Sequence, residues 1–115
     1  MKPSDNPWVK EFPGAVTVCD AHGVIIDMND QAAVTFETDG GRDLIGKNVL
    51  DCHPEPSRTQ LERMLIEHKP NIYTIEKNGV KKLIYQTPWY ADGKYAGFIE
   101  LSLEIPFEMS HFVRD

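Results

Sequence analysis

No apolar run in the 115 residues approaches the roughly 20 consecutive positions a membrane-spanning helix needs. The opening Met1-Lys2-Pro3-Ser4-Asp5 is not followed by the apolar core of a signal peptide. A soluble piece in a bacterial-type cytoplasm is expected, with no membrane contact of its own, although a longer parent protein can carry membrane segments elsewhere. Basic charge is also scarce. With a formal net charge of -6 and Lys81-Lys82 as the only adjacent basic pair, the chain has no electrostatic basis for gripping phosphates, which argues against a nucleic-acid partner. Cysteine is limited to Cys19 and Cys52, too few for a disulfide framework, so reduced thiols are expected. Apolar residues at 41% and charged residues at 26% exclude a disordered or fibrous class, and the length suits one domain that folds unaided.

The patterning divides the chain into a cap segment over 1–12, a domain over 13–105 and a tail over 106–115. Pro3, Pro7 and Pro13 surround Trp8 and Phe12, which predicts a cap that lays two aromatics on a larger body. Ala15–Asp20 reads as a strand, Ala21-His22-Gly23 as a tight turn and Val24–Asn29 as the returning strand of a hairpin. Asn29 or Asp30 can cap a short helix through Phe36, which Glu37–Gly41 breaks. Short helical turns follow around Gly46 and end at Pro54. In Ser57–His68 the residues Leu61, Met64, Leu65 and His68 fall on one face of a longer helix, with Ser57 as its expected cap and Lys69-Pro70 as its stop. The last third reads as three strands, Ile72–Lys77, Val80–Tyr90 and Tyr95–Ile105, joined by the turn dipeptides Asn78-Gly79 and Asp92-Gly93. In the last strand Ile99, Leu101 and Leu103 are expected on a buried face, with Glu100, Ser102 and Glu104 on a polar one. These elements assemble economically as an α+β domain: a five-stranded antiparallel sheet with short helices and one longer helix over one face, and room for a cavity between the layers.

In order and spacing, "CDAHGVIIDMN", Asn29 at the start of the first short helix, "LIGKNVLD" with Gly46 and "DGKYAGFIELSLEI" with Gly97 resemble a PAS sensor domain over about residues 12 to 105. The resemblance implies strand order 2-1-5-4-3, a pocket beneath the helices for a small molecule or cofactor, and a non-enzymatic sensory role. It also implies a homodimer or attachment to the output domain of a larger regulator.

Several residues are candidates for the chemistry. If strand alternation sets the inward face, Leu83, Tyr85, Thr87 and Trp89 meet Gly97, Ile99, Leu101 and Leu103, with Val34, Val49 and Met64 overhead. Tyr85 and Thr87 would be the polar handles in this wall, although the same stripe also serves as ordinary core. The "DCHP" segment places Cys52 beside His53, but no third member completes a nucleophilic triad, so no enzyme can be assembled. A zinc site would need Cys19 and His22 to approach the same loop. Light-sensing relatives carry a cysteine three positions after the glycine; here Val49 stands in that frame and Cys52 lies three residues late, which argues against a flavin adduct. A haem or metal-loaded redox sensor using Cys52, His53 and His68 is the alternative, with His68 on the apolar face of the long helix. The tail, apolar at Phe107, Met109, Phe112 and Val113, is expected either to contact a partner or to fold back beside Trp8.

Overall fold

The computed structural model describes residues 5–115. The first four residues of the expected cap, Pro3 among them, lie outside the described residues. Two turns fix the last three strands. Asn78-Gly79 and Asp92-Gly93 all have positive φ, as tight hairpin turns require, and they join β3 (Asn71–Lys77), β4 (Val80–Ala91) and β5 (Lys94–Ile105) into a meander. β1 (Ala15–Asp20) and β2 (Ile25–Met28) form the opening hairpin. The returning strand is shorter than Val24–Asn29: Val24 stays hydrogen-bonded to Asp20 and also bridges to Asn48, outside the regular strand. β1 pairs antiparallel with β5, which closes a five-stranded sheet in the order β2-β1-β5-β4-β3.

The helices after the opening hairpin lie on one face, whereas the segment before β1 packs Phe12 against Leu103 on the other. Before the sheet stands a short helix α1 (Pro7–Lys10); after the hairpin come α2 (Asp30–Thr35), three 3-10 turns over Glu37–Asp39, Gly41–Leu44 and Val49–Cys52, and α3 (Ser57–Glu67). The core sits at the β1–β2 end, where Ala15, Ile25, Met28, Ala32 and Leu44 are buried together and Phe36, Ile45 and Val49 pack against them.

Asn29 ties this end together. It is 1% exposed, and its side-chain oxygen accepts from the backbone N–H groups of Ala32 (3.0 Å) and Val16 (2.9 Å). The first bond caps α2, as the sequence predicts, and the second joins the cap to β1. The Asn29 amide donates to the carbonyls of Val9 (3.1 Å), Phe12 (3.4 Å) and Gly14 (2.8 Å), so one side chain holds the N-terminal segment against the sheet. Asp30 reinforces it through ion pairs to Lys10 and Arg42.

At α3 the expected cap is corrected. Ser57 is already the first helical residue, and Pro56 at the cap position has no side-chain acceptor. The Glu55 carboxylate takes its place, accepting from the Thr59 N–H at 2.8 Å and from the Thr59 hydroxyl. His68 likewise leaves the helical face. It caps the C-terminus at φ 57, with its ring stacked 3.6 Å from that of Tyr95. Trp8 is 75% exposed, whereas Phe12 packs with Leu103 around Gly14, a position where a Cβ would collide with both. The tail leaves Phe107, Met109, Phe112 and Val113 exposed, so folding back does not hide its aromatics.

Candidate functional site

The segment Gly46–Asn48 runs along the free edge of β2. The Gly46 N–H donates to the Ile25 carbonyl at 2.7 Å and the Ile25 N–H to the Lys47 carbonyl at 2.9 Å. Asn48 then caps the turn at Leu50 with its oxygen and donates from its amide to the His22 carbonyl. This stitching lifts Val49–His53 over the sheet as one wall of a cavity. The chain then reaches α3, whose Leu61, Met64 and Leu65 form the opposite wall. The space between these walls is about 770 Å³ and is partly open to solvent.

Strand register identifies the floor. Directly paired residues share a face. Met28 pairs with Thr17, Thr17 with Glu100, Glu100 with Gln86 and Gln86 with Asn71, which makes one row across all five strands. Met28, Thr17, Glu100 and Gln86 line the cavity, as do Cys19 and Phe98 of the neighbouring row. The Asn71 amide donates to the Gln86 carbonyl oxygen (3.1 Å), and the Gln86 amide donates to a Glu100 oxygen (2.7 Å). Donors thus point along the row toward the carboxylate.

The strand residues expected to line the pocket lie elsewhere. Leu83, Tyr85, Thr87 and Trp89 pair with Leu103, Leu101, Ile99 and Gly97, a register one residue out of phase with the floor, and this set faces away from the helices. Of the predicted residues Val49 and Met64 border the cavity, and so does Ile99 from its place in the chain between the floor residues Phe98 and Glu100; Val34, Leu83, Tyr85, Thr87, Trp89 and Leu101 do not. Val34 lies on the solvent side of α2, 62% exposed. The phase error has a physical origin. Both faces of β4 and β5 carry apolar side chains, and the floor is the more polar of the two because it bounds a cavity instead of packed core. Ile99, Leu101 and Leu103 are therefore only half-buried, as are Glu100 and Ser102. Trp89 has a different task. Its indole N–H reaches the Cys19 carbonyl on β1 at 2.9 Å, across Gly97 of β5, whose φ is 146 and where a Cβ would collide with that carbonyl.

The Asp92-Gly93 turn alone would set Gln86 opposite Ile99; a bulge between Trp89 and Tyr90 shifts the register by one residue and brings Gln86 opposite Glu100.

At the rim, Cys52 and His53 both line the cavity. Cys52 is exposed, and the His53 Nδ1–H donates to the Val49 carbonyl at 2.6 Å. His68 does not join them, and the loop approaches the hairpin turn only through Asn48 and the His22 backbone. Among the described residues no group of three or more His, Cys, Asp or Glu side chains is arranged to hold a metal. Burial pushes the Cys19 thiol up from its ordinary value; a hydrogen bond from the Phe98 backbone opposes this, and Asp20 and Glu100 add to it. Tyr73, beside the floor, is raised by burial and then by the charge of Glu100, against a hydrogen bond from Gln86.

Among the described residues no helix is long and apolar enough to cross a membrane. No curated protein sequence matches the chain. Solved structures do. The PAS domain of Bordetella pertussis BvgS is 22% identical, covering 85% of this chain and 81% of its own, with a TM-score of 0.60. A sensory box sensor histidine kinase from Vibrio cholerae is 18% identical over 86% of this chain and 87% of its own, with a TM-score of 0.58. The Aer2 receptor of Vibrio cholerae, described as a dual PAS-heme oxygen sensor, is 18% identical over 81% of this chain and 95% of its own, with a TM-score of 0.56. At these identities the likeness is one of fold. The PAS fold family matches residues 9–106, nearly the whole described chain. By that match and by its sheet order, the chain belongs to the PAS family, a sensory and signal-transduction module.

Proposed function

We propose that this module senses a small organic molecule held in the cavity between sheet and helices, without catalysing a reaction. The observation that carries the reading is the cavity itself: about 770 Å³ with apolar walls from α3 and a polar row on its floor, the composition of a ligand site. The relay to the termini runs through adjacent residues. Met28 lines the cavity, and the next residue, Asn29, holds the carbonyls of Val9, Phe12 and Gly14. A ligand that moves Met28 or α2 therefore loads the latch on the N-terminal segment, while β5 carries the same floor toward the tail. In this reading residues 13–105 are the sensing domain, 1–12 and 106–115 its connections, and the whole works in a cytoplasm as part of a larger regulator or as a homodimer.

Native mass spectrometry of the chain purified from its own host tests this. The expected result is an excess mass that Met64→Trp, which intrudes into the cavity from the α3 wall, reduces while the fold is retained. A chain without excess mass, whose cavity amides also stay unmoved by a metabolite library in NMR, would sink the reading.

One observation favours haem as a second reading. With Nδ1 of His53 occupied by the Val49 carbonyl, Nε2 is the ring nitrogen left to ligate iron at the cavity rim. A Soret band lost in His53→Ala supports it; a colourless protein from a haem-replete host contradicts it.

A further inference from the structure

Resting on the ligand-pocket reading, we infer that the cavity selects a small organic cation, an ammonium on an apolar body, through the Glu100 carboxylate on its floor. The donors of the floor are already committed. Asn71 donates to Gln86 and Gln86 to one Glu100 oxygen, so the row ends in an acceptor with further lone pairs to offer. Glu100 takes part in none of the ion pairs among the described residues, and it lines the cavity beside Thr17, whose hydroxyl can also accept. A half-buried carboxylate that accepts from a neutral amide and has, among the described residues, only the neutral Tyr73 phenol and Cys19 thiol as titratable neighbours favours a cation entering the same space, because a charge-assisted hydrogen bond there is stronger than a neutral one. The charge of Glu100 is felt by both Cys19 and Tyr73, so it reaches neighbours on either side along the floor.

The rim agrees in sign. Lys47 lines it together with Asp39 and Asp51, so the one lysine is outnumbered by carboxylates and does not make an anion site. The walls supply the apolar half of the recognition through Phe36, Leu61, Met64 and Phe98.

The test compares three probes of nearly equal shape by two-dimensional NMR titration: 2-phenylethylammonium, 2-phenylethanol and 3-phenylpropionate. The ammonium is expected to bind at least about tenfold more tightly than the alcohol, with shifts centred on Thr17, Glu100 and the Gln86 side-chain amide, and the carboxylate more weakly than either. Glu100→Gln, which keeps the shape and the bond from Gln86, is expected to erase that preference. If this variant fails to fold, the wild-type competition and the location of its shifts decide alone. Equal or tighter binding of the alcohol or carboxylate at the cavity residues would overturn the cation inference and leave the pocket reading standing. A cavity unmoved by all three probes would also overturn the cation inference, and the pocket reading would then be decided by the native mass and the metabolite library.

Discussion

At the β2–β1 end of the sheet the interior is closed. Ala15, Met28 and Ala32 are at most 3% exposed, α2 is capped by a buried side chain, and Asn29 binds five backbone groups from α1 to α2. β3 at the opposite edge of the sheet, and α3, which touches the β1–β2 turn through Leu65 and the start of β5 through Tyr95, are open by comparison. α3 buries none of its residues, its first turn is held by an exposed carboxylate from outside the helix, and β3 is exposed from Ile72 onward. The cavity lies between these two regions. The difference teaches how one small domain can divide its labour: one half carries the buried core, and the other, on the proposed reading, is left loose enough to close on a ligand. Local opening free energies follow buried contacts, so the second half belongs to the low-stability part of the molecule.

The contrast breaks most sharply at Asn29. Asn29→Ala leaves several buried backbone groups unsatisfied at about 1–3 kcal/mol each, so a total loss of about 4 kcal/mol or more is expected in urea denaturation. Met28→Ala empties the closed core and is expected to cost about 3 kcal/mol in the same assay, inside the range for buried methionine truncation. In the open half the corresponding change is small: Glu55→Ala removes the substitute cap of α3 and is expected to cost about 1 kcal/mol. If Glu55→Ala costs as much as Met28→Ala, the two halves form one cooperative body and the contrast fails.

A pH titration sharpens the same comparison with the least effect. Burial raises the Cys19 thiol, so the native state keeps its proton where the unfolded chain releases it. Its contribution is full below about pH 9 and is lost as pH rises from there through the raised folded value. Tyr73 and Tyr95 are also raised by burial, and they extend the loss from about pH 10 upward. Cys19→Ala is expected to flatten only the first part of the alkaline decline, with stability followed by chemical denaturation at stepped pH. An unchanged slope between the variant and the parent would show that the thiol is not buried in solution.

What the sequence made legible follows from the same physics. The hairpin turns, the strand at Ala15–Asp20, the cap at Asn29 and the stop at Pro106 depend on local chemistry, and they stand where the residue types place them. The cavity floor was not legible from hydrophobicity, because a floor that meets a cavity keeps polar groups such as Gln86 and Glu100, while the more apolar row of Leu83, Tyr85 and Leu101 faces outward. His68 looked like a pocket residue by helical spacing, but the helix ends at Glu67, and the left-handed turn that follows sends its ring to Tyr95. Spacing rules hold only inside the element that defines them.

The direct test of a closed half carrying an open one is native-state hydrogen exchange, resolved by residue. Amides of β1, β2 and α2 are expected to exchange only through global unfolding, and those of α3 and β3 through local opening at least about 2 kcal/mol lower, with protection of α3 rising when the cavity is filled. Uniform protection across α3 and β1 in the empty protein would contradict it.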